Sequence, residues 1–172
     1  YLRLDNAALR ALNLFPDANS GSSSSNKNAS LFGLLNHCKT AQGMRMLSQW
    51  LKQPLVNVHA IKNRQTLLSL FLEEAEVKHQ LQDEFLRYMP DMLRISKRFQ
   101  RGAATLEDVV RCYQAIVKLP DLVHLLAELR INSESDHTLF QSTFVAPLEE
   151  LHQHLEKLVQ MVEMTIDLDE LQ

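Results

Sequence analysis

From Ser30 onward, apolar residues recur three and four positions apart, and the breaks between runs fall at prolines and at residues that cap helices. The longest run begins at Pro147, where Leu148, Leu151, Leu155, Leu158 and Val162 step 3-4-3-4 before the pattern shifts to Ile166. That spacing is a heptad seam, which a helix presents as one stripe. The run is too short for a free-standing coiled coil, so it is expected to pack on a neighbouring helix in an antiparallel stack. Little β-branched alternation interrupts the pattern. The expected fold is all-α, a stacked or orthogonal multi-helix bundle.

The local signals divide the chain of 172 residues further. Residues 1–15 read as a short lead-in, an alternating YLRLD followed by a helical NAALRAL that Asn6 would cap. Residues 16–29 are rich in serine and asparagine and read as a flexible loop, since they bury too little surface to offset chain entropy. Residues 30–166 are the expected helical core, and residues 167–172 an acidic exit. Within the core the expected helices run from Ser30 to Cys38 and from a Thr40 cap to Pro54. The next starts from an Asn57 cap with Ile61, Leu68, Phe71 and Leu72 on one face. Further helices carry Val77, Leu81, Phe85 and Met89, and then Met92 to Phe99. Thr105 caps the following one, with Asp108 as a weaker capping box, and another opens at Pro120. Residues 132–137 are expected to be a polar loop. With no initiator methionine at Tyr1, the chain reads as an excised piece of a larger protein.

Charge and cysteine usage narrow the function. From Ala18 to Leu72 there are six basic residues and no acid, whereas from Asp121 onward eleven acids face Arg130 and Lys157. Either the basic end faces an anion, or the two ends pair with each other or with further domains. Cys38 and Cys112 lie inside apolar helical patterns and are expected to be buried, reduced thiols. No uncharged apolar run approaches the roughly 20 residues of a membrane span, so no membrane partner is expected.

The glycines at 21, 33, 43 and 102 do not make a phosphate-binding P-loop. Glu150 and His154 share a helix face, but nothing nearby completes a metal set, and Asp167, Asp169 and Glu170 lack the spacing of a calcium loop. No catalytic, metal or cofactor-binding residue is assigned, and the chain is not expected to be an enzyme by itself.

The most distinctive stretch is TAQGMRMLSQWLKQPL, Thr40 to Leu55. On a helical wheel Met44, Leu47 and Leu51 cluster on one side with Gly43, Trp50 stands beside them, and Arg45, Gln49 and Lys52 line the opposite side. Gly43 is expected to leave that apolar face flat for the close approach of another backbone. Trp50 is expected in the core rather than on a ligand, since base-stacking tryptophans sit among exposed aromatics and basic side chains.

With these residues in place, the pattern Thr40-x-x-Gly43-x-Arg45-x-Leu47-x-x-Trp50-Leu51-x-x-Pro54-Leu55, then Ile61 and Arg64, resembles the core domain of MutS-type DNA mismatch-repair proteins. LDNAALRALNLF, LLNHCKT, QWLKQPL, KRFQRGAA and FVAPLEEL are similar to eukaryotic members. Two positions depart from many relatives: Ala41 stands where they carry proline, and Asn57 where they carry aspartate. Both keep a workable helix start. Phe71-Leu72-Glu73 matches the Phe-x-Glu mispair reader of bacterial members only superficially, because it lies in another domain and on an apolar helix face.

The resemblance implies a core and lever domain in a nuclear protein that pairs with a second MutS homologue and encloses mismatched duplex DNA. ATP and Mg would bind in an ABC-type ATPase domain outside this chain. The clamp that grips DNA would follow the acidic exit. It implies no catalytic role for any residue here. Arg45, Lys52 and Arg64 are candidate phosphate or carboxylate contacts. Two other readings remain open: a module that grips the duplex backbone through the basic region 39–64, and a generic helical scaffold for partner proteins.

Overall fold

The computed structural model describes residues 1–16 and 29–166. Nearly all of the expected loop at 16–29, and the acidic exit at 167–172, lie outside the described residues. Every regular element among the described residues is helical. The chain divides into two units, Tyr1–Lys62 and Asn63–Gln172.

The first unit holds α1 (Asn6–Ala11), α2 (Leu31–Leu35), α3 (Ala41–Lys52) and the start of α4 (Val58–Glu73). The cap of α1 is Asp5, one residue before the expected Asn6; its carboxylate accepts from the Ala8 amide at 2.7 Å. The chain leaves α1 through Asn13 at φ 46°, a left-handed turn that asparagine tolerates. Two backbone bonds then join this exit to α2: the Leu31 amide donates to Asn13 and the Phe32 amide to Leu14, at 3.0 and 2.9 Å. Leu14 is buried, and the Phe15 and Phe32 rings meet at a tilt with centroids 5.5 Å apart. The lead-in closes on the end of α3, where the Leu2 amide donates to the Pro54 carbonyl at 2.9 Å.

The second unit takes the rest of α4, then α5 (Ala75–Gln80), α6 (Met92–Gln100), α7 (Leu106–Val117), α8 (Leu119–Ala127), α9 (Glu134–Phe140) and α10 (Ala146–Thr165). Its core is built on α8, whose Leu119, Leu122, Leu125 and Leu126 are all buried, with Ile116 and Phe140 beside them. α10 packs against both α7 and α8. Of the expected seam, Leu148, Leu155 and Leu158 are half-buried and Val162 is buried, but Leu151 is exposed. Val159, outside the seam, also packs against the core. Phe71 sits in a ring cluster, 5.7 Å from Phe140 and 5.6 Å from Phe144, which agrees with its reading as a core residue.

Two further expectations need correction. The run from Val77 to Met89 is not one α-helix: after α5 it widens into a π turn at Leu81–Phe85 and tightens into a 3-10 turn at Leu86–Tyr88. The expected polar loop at 132–137 is largely helix, because Ser133 caps α9 by accepting from the Asp136 amide at 3.4 Å. Glu134 and Asp136 then stand in the first turn, where the helix dipole favours acids. A second π turn, Gln141–Val145, joins α9 to α10 without a break, making one helical run from Glu134 to Thr165. At 1.5 Å per residue that run is about 48 Å long.

Candidate functional site

The Thr40–Leu55 stretch folds as its local signals require. The Thr40 hydroxyl accepts from the Gly43 amide at 3.0 Å, satisfying one of the unpaired donors of the first turn. Pro54 follows the helix end and lends its carbonyl to Leu2. Asn57 caps α4 through the Ala60 amide at 3.0 Å.

The role expected for Gly43 does not hold. A Cβ placed there would meet Thr40 Oγ1 at 3.0 Å and the Cys38 side chain at 3.5 and 3.6 Å, so its close neighbours are its own cap and the residue just before it. Among the described residues, the three atoms nearest that position are all side-chain atoms of Thr40 and Cys38, and none belongs to a second helix backbone.

Trp50 is not in the core either: it is 41% exposed. The half-buried residues of α3 include Gly43, Leu47 and Leu51, and Trp50 stands about 100° from Leu51, on the side of exposed Met46. Met44 is also exposed, while Leu55 is half-buried. Cys38 is exposed, contrary to expectation, because the segment between α2 and α3 lies at the surface; Cys112 is buried as expected, and burial pushes its thiol pKa up.

The candidate contact residues lie on two helices, α3 and α4. The Lys52 ammonium lies over the Phe15 ring, 4.9 Å from its centroid, a cation–π contact that holds it against the lead-in. Arg45 is on the exposed side of α3 in the same unit, whereas Arg64 is half-buried on α4 and belongs to the second unit. Among the described residues no group of three or more His, Cys, Asp or Glu is placed to hold a metal, and no helix is long and apolar enough to cross a membrane.

The most organised polar cluster was only half legible in the sequence. Asp108 is buried at the N-terminal turn of α7, and its carboxylate accepts from Arg98 on α6 at 2.6 Å and from the Thr105 amide at 3.1 Å. The Thr105 hydroxyl accepts from the Asp108 amide at 3.3 Å, completing the capping box. The hydrogen bond from Arg98 holds the Asp108 carboxyl below its ordinary pKa, helped by the Thr105 amide and opposed by desolvation. Gly102, at φ 63°, turns the chain between the two helices. On the other side of α7, the Tyr113 hydroxyl donates to Glu163 of α10 at 3.0 Å. α7 is therefore tied by polar contacts at one end to α6 and through Tyr113 to α10. Asp108 was readable as a cap residue; Arg98, within KRFQRGAA, carried no local signal for its partner.

The second unit thus combines a leucine core with one charge pair whose aspartate is buried and whose arginine is partly exposed. The family described as MutS domain III matches residues 7–172. The DNA mismatch repair protein msh-2 of Neurospora crassa is 49% identical over 171 residues, covering 99% of this chain and 18% of that protein. The DNA mismatch repair protein MSH2 of Saccharomyces cerevisiae is 37% identical over 98% of the chain, and the DNA mismatch repair protein MutS of Macrococcus caseolyticus is 33% identical over 74% of it. This chain spans less than a fifth of the length of each of them. The chain belongs to the MutS family of DNA mismatch repair proteins, as a MutS domain III.

Proposed function

We infer that this chain is a non-catalytic lever within a larger MutS-like protein, coupling a DNA clamp to an ABC-type ATPase domain, both outside these residues. The parent would act in the nucleus as a heterodimer with a second MutS homologue, hold mispaired duplex DNA, and bind ATP and Mg in that other domain.

The observation that supports the lever reading is the helical run Glu134–Thr165. It is anchored on α7 and α8 along α10, and its π turn at Gln141–Val145 packs on α8. A coupling element needs two discrete packings. A π turn supplies a place for them, since moving one residue into or out of it slides the flanking helix by one position without unfolding. The Ser142 and Thr143 hydroxyls both donate to the Leu139 carbonyl, at 3.1 and 2.7 Å, so a backbone acceptor in the disturbed ladder keeps its partners.

The excess of basic residues before Leu72 favours a second reading, a backbone-gripping DNA module at 39–64. Fluorescence anisotropy of the folded chain with matched and mismatched duplexes, at low and moderate salt, separates the two. The lever reading expects no binding; salt-sensitive binding without mismatch preference would put the DNA-gripping reading first.

A further inference from the structure

The second unit carries a cleft of about 560 Å³ where the end of α7 and the start of α8 meet the segment that follows the first π turn. This volume lies in the range of sites that bind ligands. Its apolar lining comes from Phe85, Met89, Pro90, Val117, Leu119 and Leu122. Tyr88, 66% exposed, and Val117, 44% exposed, leave apolar surface open beside it. Aromatic, methionine and arginine side chains of this kind are enriched at protein interfaces.

The charged side chains that line the cleft are both basic. Arg111 and Lys118 are among the residues that line it, and no aspartate or glutamate is. The Lys118 ammonium stands 5.5 Å from the Tyr88 ring centroid, and the Arg87 guanidinium lies 6.0 Å from the same ring. Arg111 is paired with Glu107 on its own helix at 2.6 Å, so Lys118 is the better placed cation for an incoming anion. Asp121, in the first turn of α8, is outside the lining.

We propose that this cleft is a docking site for an acidic linear segment of a partner protein, one that inserts an aliphatic or aromatic side chain between Phe85, Met89 and Leu122 and sets a carboxylate beside Lys118. The proposal does not depend on the lever reading. The apolar floor supplies the anchor pocket, and Lys118 favours acidic over basic flanks.

The test uses the full-length protein in its native assembly and three fluorescein-labelled hexapeptides. One has acidic flanks around Ile-Phe, one the same flanks around Gly-Ser, and one basic flanks around Ile-Phe. The first is expected to bind at least about tenfold more tightly than either of the others, the size of one lost anchor or charge pair. Lys118→Glu should reverse the order of the first and third peptides, and Lys118→Gln should remove the preference without reversing it. Equal binding of all three peptides, or an order unchanged in both variants, would overturn the proposal. So would protection of a Lys118→Cys thiol from maleimide in the unliganded assembly, because another part of the polypeptide would then already fill the cleft.

Discussion

Replacing Phe140 by alanine separates a core aromatic from an exposed one. Phe140 is 1% exposed, and its ring lies 5.7 Å from Phe71 and 5.3 Å from Phe144. It closes α9 at the threshold of the π turn, so its removal leaves a hole bounded by two rings and the leucines of α8. Buried Phe→Ala changes cost about 3–5 kcal/mol, a range that includes the lost ring contacts. At roughly 2–4 °C per kcal/mol for a chain of this size, the melting temperature should fall by about 6–20 °C. Trp50→Ala removes a larger side chain that keeps 41% of its surface in water, and its expected cost is only about 1–2 kcal/mol. Circular dichroism melts with urea midpoints at constant slope measure both. A Phe140→Ala melt within about 3 °C of wild type, or a larger loss from Trp50→Ala, would refute this assignment of the core.

Other perturbations follow from the caps and from the single tryptophan. Gly43→Ala should change stability by less than about 1 kcal/mol in either direction, because the gain in helix propensity opposes the crowding of the Thr40 hydroxyl; urea midpoints decide. The Asp108 carboxyl pKa is lowered in the folded state, so its stabilisation is complete above the ordinary carboxylate pKa of about 4 and is lost as pH falls through the lower folded value. Asp108→Asn should therefore be less stable than wild type at neutral pH, with the gap closing in acid; a gap independent of pH would remove the charge pair from the explanation. Trp50, being partly exposed, should be quenched readily by iodide, and a fully shielded emission would show that α3 is covered in solution.

The fold was legible where the signal is local. Thr40, Asn57 and Thr105 cap the helices they were expected to cap, because a cap needs only its own next turn. Ser133 obeys the same rule, yet the acids behind it resembled a loop and α9 went unread. Helical spacing set Trp50 beside Leu47 and Leu51, yet it stands on the side of exposed Met46, and its depth depends on what that side meets. The π turns left no trace, since one extra residue per turn preserves the apolar pattern on both flanks. Of the polar joint, Asp108 showed itself through its distance from Thr105; Arg98 comes from another helix, and only the fold brings it within 2.6 Å.

Deleting Thr143 in the full-length protein, assembled with the second MutS homologue that the proposed function requires, tests the proposed lever most directly. Thr143 is exposed within the π turn, and removing one residue there restores α-helical spacing while Phe140 and Val145 stay on the buried face. With helix content and mismatch affinity confirmed, ATP-driven release from a mismatched duplex is timed by stopped-flow anisotropy. Release slowed at least about tenfold, with mismatch binding intact, is the expected result. Release at the wild-type rate would mean that the π turn in this helical run does not couple nucleotide to DNA.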